Sequence, residues 1–127
     1  MRTIKFRGKN ISTGEWRYGC LVRYSDHSCY IFGDYVDKNE VWEVLTETVG
    51  QFTGLLDKNG NEIYEGDVLY YPMQGKRVVY YPFNERVASY GLREISTGMC
   101  STLQDSHRVY EIIGNLYQNP ELLEGVK

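Results

Sequence analysis

The sequence predicts a mostly β protein built of small, barrel-like antiparallel sheets and ending in a short helix. Three observations carry that class. Eight or so short apolar stretches alternate with polar residues at the period of two that puts one face of a strand on a core. Clusters of turn formers, such as Ser12-Thr13-Gly14, Asn59-Gly60-Asn61 and Glu65-Gly66-Asp67, punctuate them at regular spacing. Helical periodicity is nearly absent until the C-terminus.

Ile4 and Phe6 alternate with Thr3, Lys5 and Arg7, which predicts a first strand. After the turn at Asn10 to Gly14, Trp16, Tyr18, Cys20, Val22 and Tyr24 fall on one face and Arg17, Leu21 and Arg23 on the other, completing an opening hairpin. Ser25 to Ser28 forms the next turn, and Cys29-Tyr30-Ile31-Phe32 a short strand ending at Gly33-Asp34. From Val41 to Phe52 the apolar spacing fits a helical turn, yet the β-branched Val41, Val44, Thr46, Thr48 and Val49 favour strand, and strand is the reading adopted. Asp57 to Asn61 carries an Asn-Gly pair between apolar flanks, a strong hairpin signal that asks for positive φ at both central positions. Glu65-Gly66-Asp67 makes a second tight turn and launches Val68 to Tyr71.

Lys76 to Tyr81 is apolar on both faces in its middle, and Pro82 ends it. Ala88, Tyr90 and Leu92 alternate in a further strand, and Arg108 to Ile113 form the last. Asn119 followed by Pro120 has the order of an N-cap and first-turn proline, predicting a short helix through Glu121, Leu122, Leu123 and Glu124. The 127 residues suit one domain, with two β subdomains near 1–55 and 56–127 as the alternative partition.

Composition bounds the function classes. The 14 basic and 17 acidic residues are interspersed, so the net charge of -3 nominates no nucleic-acid arm or acidic tail. No apolar run approaches the length of a signal peptide core or the ~20 residues of a membrane span, which implies a cytoplasmic protein without a membrane partner. Cys20, Cys29 and Cys100 are odd in number, which in such a chain implies reduced thiols. Tyrosine is the outlier, with 12 residues and adjacent pairs at Tyr70-Tyr71 and Tyr80-Tyr81. Its ring packs on sheets and on contact surfaces while its hydroxyl stays wet.

The residues that bear chemistry are scattered. Cys20, His27, Cys29, Cys100 and His107 lack the paired spacing that brings two zinc ligands from one turn, and buried thiols or turn imidazoles explain them better. Cys100, Asp105 and His107 have the residue types of a nucleophile, orienter and base, but a triad is a matter of geometry, and a polar loop is the simpler account. Asp57, Asn59 and Asn61 mimic half of a calcium loop, with Gly60 at the wrong position of it. Glu62, Glu65 and Asp67 are close enough to share a metal or a general-acid role, although acidic residues beside Gly66 also suit a solvated turn. No phosphate-cradling glycine motif or nucleophile elbow occurs. Tyr70, Tyr71, Tyr80 and Tyr81 interleaved with Lys76, Arg77 and Arg86 form a candidate binding surface, either for protein or for stacked single-strand bases.

Val49-Gly50-Gln51-Phe52-Thr53-Gly54-Leu55 followed by Asp57 to Val68 closely resembles the YopX family of small phage and prophage proteins. Ile4-Lys5-Phe6-Arg7-Gly8 is similar to that family's opening, and Ile113 to Leu123 to its ending, so the resemblance spans the chain. It implies a mostly β fold and a gene carried by a phage, prophage or other mobile element in a bacterium. It implies no enzyme chemistry, cofactor, metal or catalytic residue. Within the central motif Asn59, Gly60, Tyr64, Gly66 and Asp67 read as architecture, turns and anchors rather than a site. The expected function is therefore a non-enzymatic interaction or assembly module, self-associating or bound to a host or phage protein. Single-stranded nucleic-acid binding and a metal-dependent hydrolase are the alternatives.

Overall fold

The computed structural model describes residues 4–33, 41–73, 75–84, 89–103 and 107–123. Ala88 and Glu124, assigned above to a strand and a helix, lie outside them. The chain divides into two compact units, Met1–Phe52 and Thr53–Lys127.

The first unit begins with β1 (Phe6–Lys9), β2 (Trp16–Arg23), β3 (Cys29–Phe32) and β4 (Val41–Val44), paired antiparallel in the spatial order β4-β3-β2-β1. The stretch read as one strand from Val41 to Phe52 is broken by a 3-10 turn at Thr46–Thr48, and β5 (Gly50–Leu56) then adds to β1. The break has a local cause. Thr48 turns its hydroxyl back onto the Leu45 carbonyl at 2.6 Å while accepting the Lys9 N–H at 2.9 Å, so its side chain competes with the ladder. Gly19 is where β2 leaves β1 and pairs with β3. A Cβ there would sit 2.0 Å from the Phe32 carbonyl oxygen, so only glycine fits.

The core of this unit holds Cys29, Ile31 and Val44, with Phe6, Leu21, Trp42 and Val49 packed on them. Register fixes this assignment. Leu21 pairs with Ile31 and Ile31 with Trp42, which leaves Tyr18, Val22 and Val41 on the other face of the sheet. The aromatic face of the opening hairpin thus turns outward, and the face carrying Leu21 turns inward.

β5 continues into the second unit, where β6 (Glu62–Tyr64), β7 (Asp67–Tyr71), β8 (Gly75–Tyr80), β9 (Gly91–Glu94), β10 (Cys100–Thr102) and β11 (Glu111–Asn115) follow. The five-stranded sheet has the order β10-β9-β8-β7-β11, all antiparallel. Leu69, Val79 and Leu92 point from it into a core completed by Ile63, Tyr90, Leu103 and Tyr110. β10 falls in sequence that reads as loop, because Cys-Ser-Thr carries no alternation of its own and is held by pairing with β9. Both sheets are open, so the architecture is all-β without a closed barrel.

The expected C-terminal helix is a single 3-10 turn at Pro120–Leu123. Asn119, read above as its N-cap, instead points its Oδ1 backward to accept the Asn115 N–H at 3.2 Å. The Asn-Gly turn also differs in detail. Among the described non-glycine residues only His27 has positive φ, so the left-handed position of the turn is Gly60 alone, at φ +84°.

Asp57 decides that turn. Its buried carboxylate accepts N–H bonds from Asn59 and Asn61, both at 2.9 Å, and from Ile112 of β11 at 3.0 Å. Burial pushes its carboxyl up, but the Ile112, Asn61 and Asn59 bonds outweigh that and hold it below the usual aspartate value. Its stabilising contribution is complete above the ordinary aspartate pKa and is lost as pH falls through the lower folded value. Asp57→Ala leaves three donors unmet and should cost about 3 kcal/mol in urea denaturation. Asp57→Asn should, in addition, flatten the loss of stability measured on acidification below pH about 4.

Candidate functional site

Period-two alternation sorts the predicted binding residues onto two sides of the five-stranded sheet. Val68 pairs with Val78, and Tyr70 with Lys76, so these residues and Tyr80 share the face opposite Leu69, Val79 and Leu92, with Val68 itself fully buried there. Arg93 pairs with Val78, and Cys100 with Arg93, extending that face across β9 and β10. Tyr71 and Arg77 fall on the opposite, core-facing side. There Tyr71 meets Tyr110 edge-on at 5.9 Å, and Arg77, 7% exposed, pairs with Glu94 at 3.2 Å and bonds Ser101 at 3.0 Å. Burial raises the Tyr110 phenol, with Glu94 and Tyr71 adding to the shift and Arg77 opposing it. Tyr81 lies against Tyr90 at 5.0 Å and stays 48% exposed. Arg86 lies outside the described residues. Tyr70, Lys76 and Tyr80 are thus brought to one surface, whereas Tyr71 and Arg77 serve the core.

That surface is grooved. Val78, Tyr80, Arg93, Glu94, Ile95, Gly98 and Leu116 line a cleft of about 280 Å³, largely apolar. The Tyr80 ring lies against Gly91, whose missing Cβ would meet ring carbons at 2.6 Å, and its hydroxyl donates to the Phe83 carbonyl at 3.0 Å. Arg93 stacks its guanidinium 5.0 Å from the ring centroid. Burial, followed by the Cys100 side chain, pushes the Tyr80 phenol up to about 12, and Arg93 opposes the shift. The ring is therefore a neutral platform at physiological pH.

The first unit presents a second surface. Tyr18, Val22, Tyr24 and Val41 are between 36% and 50% exposed on the outward face, around Cys20, Tyr30 and Phe32. Tyr24 packs edge-on against Tyr30 at 5.2 Å. At one end Trp16 carries the Arg7 guanidinium 4.5 Å and the Lys9 ammonium 5.9 Å from its ring. Sequence reasoning overlooked this surface, although Arg7 and Lys9 recur at strand spacing opposite Trp16. Arg93, Ile95 and Leu116 had no such signal, because their meeting depends on strand order.

Several of the acidic and metal-type candidates take structural places. Asp67 is buried and accepts the Tyr64 N–H at 2.8 Å, closing the turn at Gly66, while Glu62 accepts the Tyr64 hydroxyl at 3.1 Å. The Tyr117 ring covers Gly66. Asn59 and Gly60 belong to the Asp57 turn. The Cys100 thiol donates to the Gly98 carbonyl, and His107 Nδ1 lies 2.6 Å from the Leu56 carbonyl oxygen; Asp105 is outside the described residues. Among the described residues no group of three His, Cys, Asp or Glu side chains is placed to hold a metal ion, and no helix is long and apolar enough to cross a membrane.

Gly91→Ala tests the ring platform. The added methyl displaces Tyr80 and breaks its bond to Phe83, with an expected loss of about 1–3 kcal/mol in thermal or urea unfolding.

The family described as YopX protein matches residues 5–124, and the chain belongs to that family. A solved structure with the same fold is the crystal structure of protein EF1440 from Enterococcus faecalis. It is 22% identical, with a TM-score of 0.56, covering 98% of this chain and 100% of that one. Curated proteins give no match.

Proposed function

We propose that this YopX family member is a non-enzymatic protein-interaction module that docks a protein partner on the outward face of its first sheet. The observation that carries the reading is the uncovered row of Tyr18, Val22, Tyr24 and Val41 beside Trp16. Tyrosine and tryptophan held rigidly by a sheet supply large contact area at little entropic cost, and they dominate the energetics of interfaces. Tyr24 is braced by Tyr30, and Trp16 is braced by Arg7, so the rings are ordered before a partner arrives.

The partner is either a second copy of the chain or a protein of the host or of the mobile element that the family resemblance implies. A bacterial cytoplasmic setting goes with that resemblance. The nucleic-acid reading has less behind it. Of the four tyrosines it needs, Tyr71 packs in the core and Tyr81 on Tyr90, and Arg77 is spent on Glu94. The hydrolase reading loses Asp67 to the Tyr64 backbone.

Sedimentation across a concentration series, joined to capture from bacterial lysate with and without nuclease, tests the proposal. Tyr18→Ser with Tyr24→Ser should weaken whichever association is found by about thirty-fold or more per ring, with the fold intact by circular dichroism. Association that the double variant leaves unchanged would place the interface elsewhere and overturn the assignment.

A further inference from the structure

We propose that the groove on the second unit's sheet is a binding site for a small free carboxylate, a molecule with one apolar ring-sized body and one carboxylate group. This site is separate from the protein-docking face of the first sheet and does not depend on it.

Shape sets the size of the occupant. About 280 Å³ lies at the lower end of small-ligand clefts, enough for a molecule of amino-acid dimensions. Val78, Ile95 and Leu116 supply apolar walls, the Tyr80 ring supplies a flat floor, and Gly98 leaves the rim without a side chain. An apolar body gains by displacing water from such walls.

Charge sets its chemistry. Arg93 and Glu94 are neighbours in β9, and strand alternation sends them to opposite faces. Glu94 is engaged on the core side by Arg77 at 3.2 Å and by the Ser96 hydroxyl at 2.7 Å. Arg93 is left on the groove side, stacked on Tyr80, and none of the described carboxylates forms an ion pair with it. Held over the Tyr80 ring, the guanidinium carries a forked set of N–H donors that matches a planar, two-oxygen acceptor. Tyr80 adds no negative charge, because its phenol remains protonated at neutral pH. Glu94 also lines the cleft, but its carboxylate is paired with Arg77, so Arg93 is the lining cation left for a monoanionic carboxylate, and the second charge of a phosphate would have no partner.

Titration of the isotope-labelled full chain with phenylacetate, followed by amide chemical shifts, tests the site. Saturable shifts are expected at Val78, Arg93, Gly98 and Leu116, with a Kd on the order of 1 mM for so small a ligand. Phenylacetamide, which keeps the body and loses the charge, should bind at least about fivefold more weakly. Arg93→Gln should reduce phenylacetate to the level of the amide, and Ile95→Glu should abolish both while the resonances of Leu69 and Leu92 stay in place. Absence of saturable shifts, equal binding of acid and amide by the unaltered protein, or a preference that survives Arg93→Gln would overturn the proposal. Tighter binding of phenyl phosphate would overturn the carboxylate assignment. Binding of a peptide C-terminus in place of phenylacetate would overturn the small-molecule one.

Discussion

The Asp57 carboxylate joins two stretches of the second unit that lie 55 residues apart, its own turn and the edge strand β11. β11 pairs with β7 on one side only, so the other side would present bare N–H and C=O groups. The turn meets both. Ile112 donates to Asp57, and the Lys58 N–H donates to the Tyr110 carbonyl at 2.9 Å, so the loop acts as a short cover for an exposed sheet edge. Buried donors without acceptors are costly, and a single charged oxygen pair satisfies three of them here. The long motif around Asp57 is therefore an assembly device, and its Asp57 and Asp67 carboxylates are engaged in backbone bonds.

The same economy recurs with three other buried polar side chains. Asp67 closes the Gly66 turn through the Tyr64 N–H, Asn10 holds the first turn through the Ser12 and Thr13 N–H groups, and Asn115 holds the last through those of Tyr117 and Gln118. Each is a short oxygen acceptor that organises a local turn without help from distant chain. Asp57 and Asp67, which suggest calcium binding and acid catalysis in the sequence, are thus explained by backbone satisfaction.

What remains for function lies on sheet faces. Antiparallel sheets commonly cover one face and leave the other to solvent. In the first unit the open face is aromatic, and in the second it is a groove with one stacked cation. The two surfaces differ in what they favour. A broad row of exposed rings suits a protein partner, whereas a cleft of about 280 Å³ suits a small one.

The all-β class, most of the strands and the turns are legible in the residues alone, because strand alternation and turn chemistry are local properties. Asn59-Gly60, Gly66 and the Cys29–Phe32 strand are legible from a few neighbouring residues. Tertiary structure decided everything that depends on register and on pairing between distant strands. It split Tyr70 from Tyr71, because neighbouring strand residues face opposite ways and only the register says which way is inward. It made β10 a strand through its bond to β9, reduced the expected helix to one turn, and sent Trp16 and Tyr18 outward. It also brought Arg93 to Tyr80 and Leu116, residues whose meeting is set by strand order, and strand order is a property of the folded sheet that local sequence does not encode.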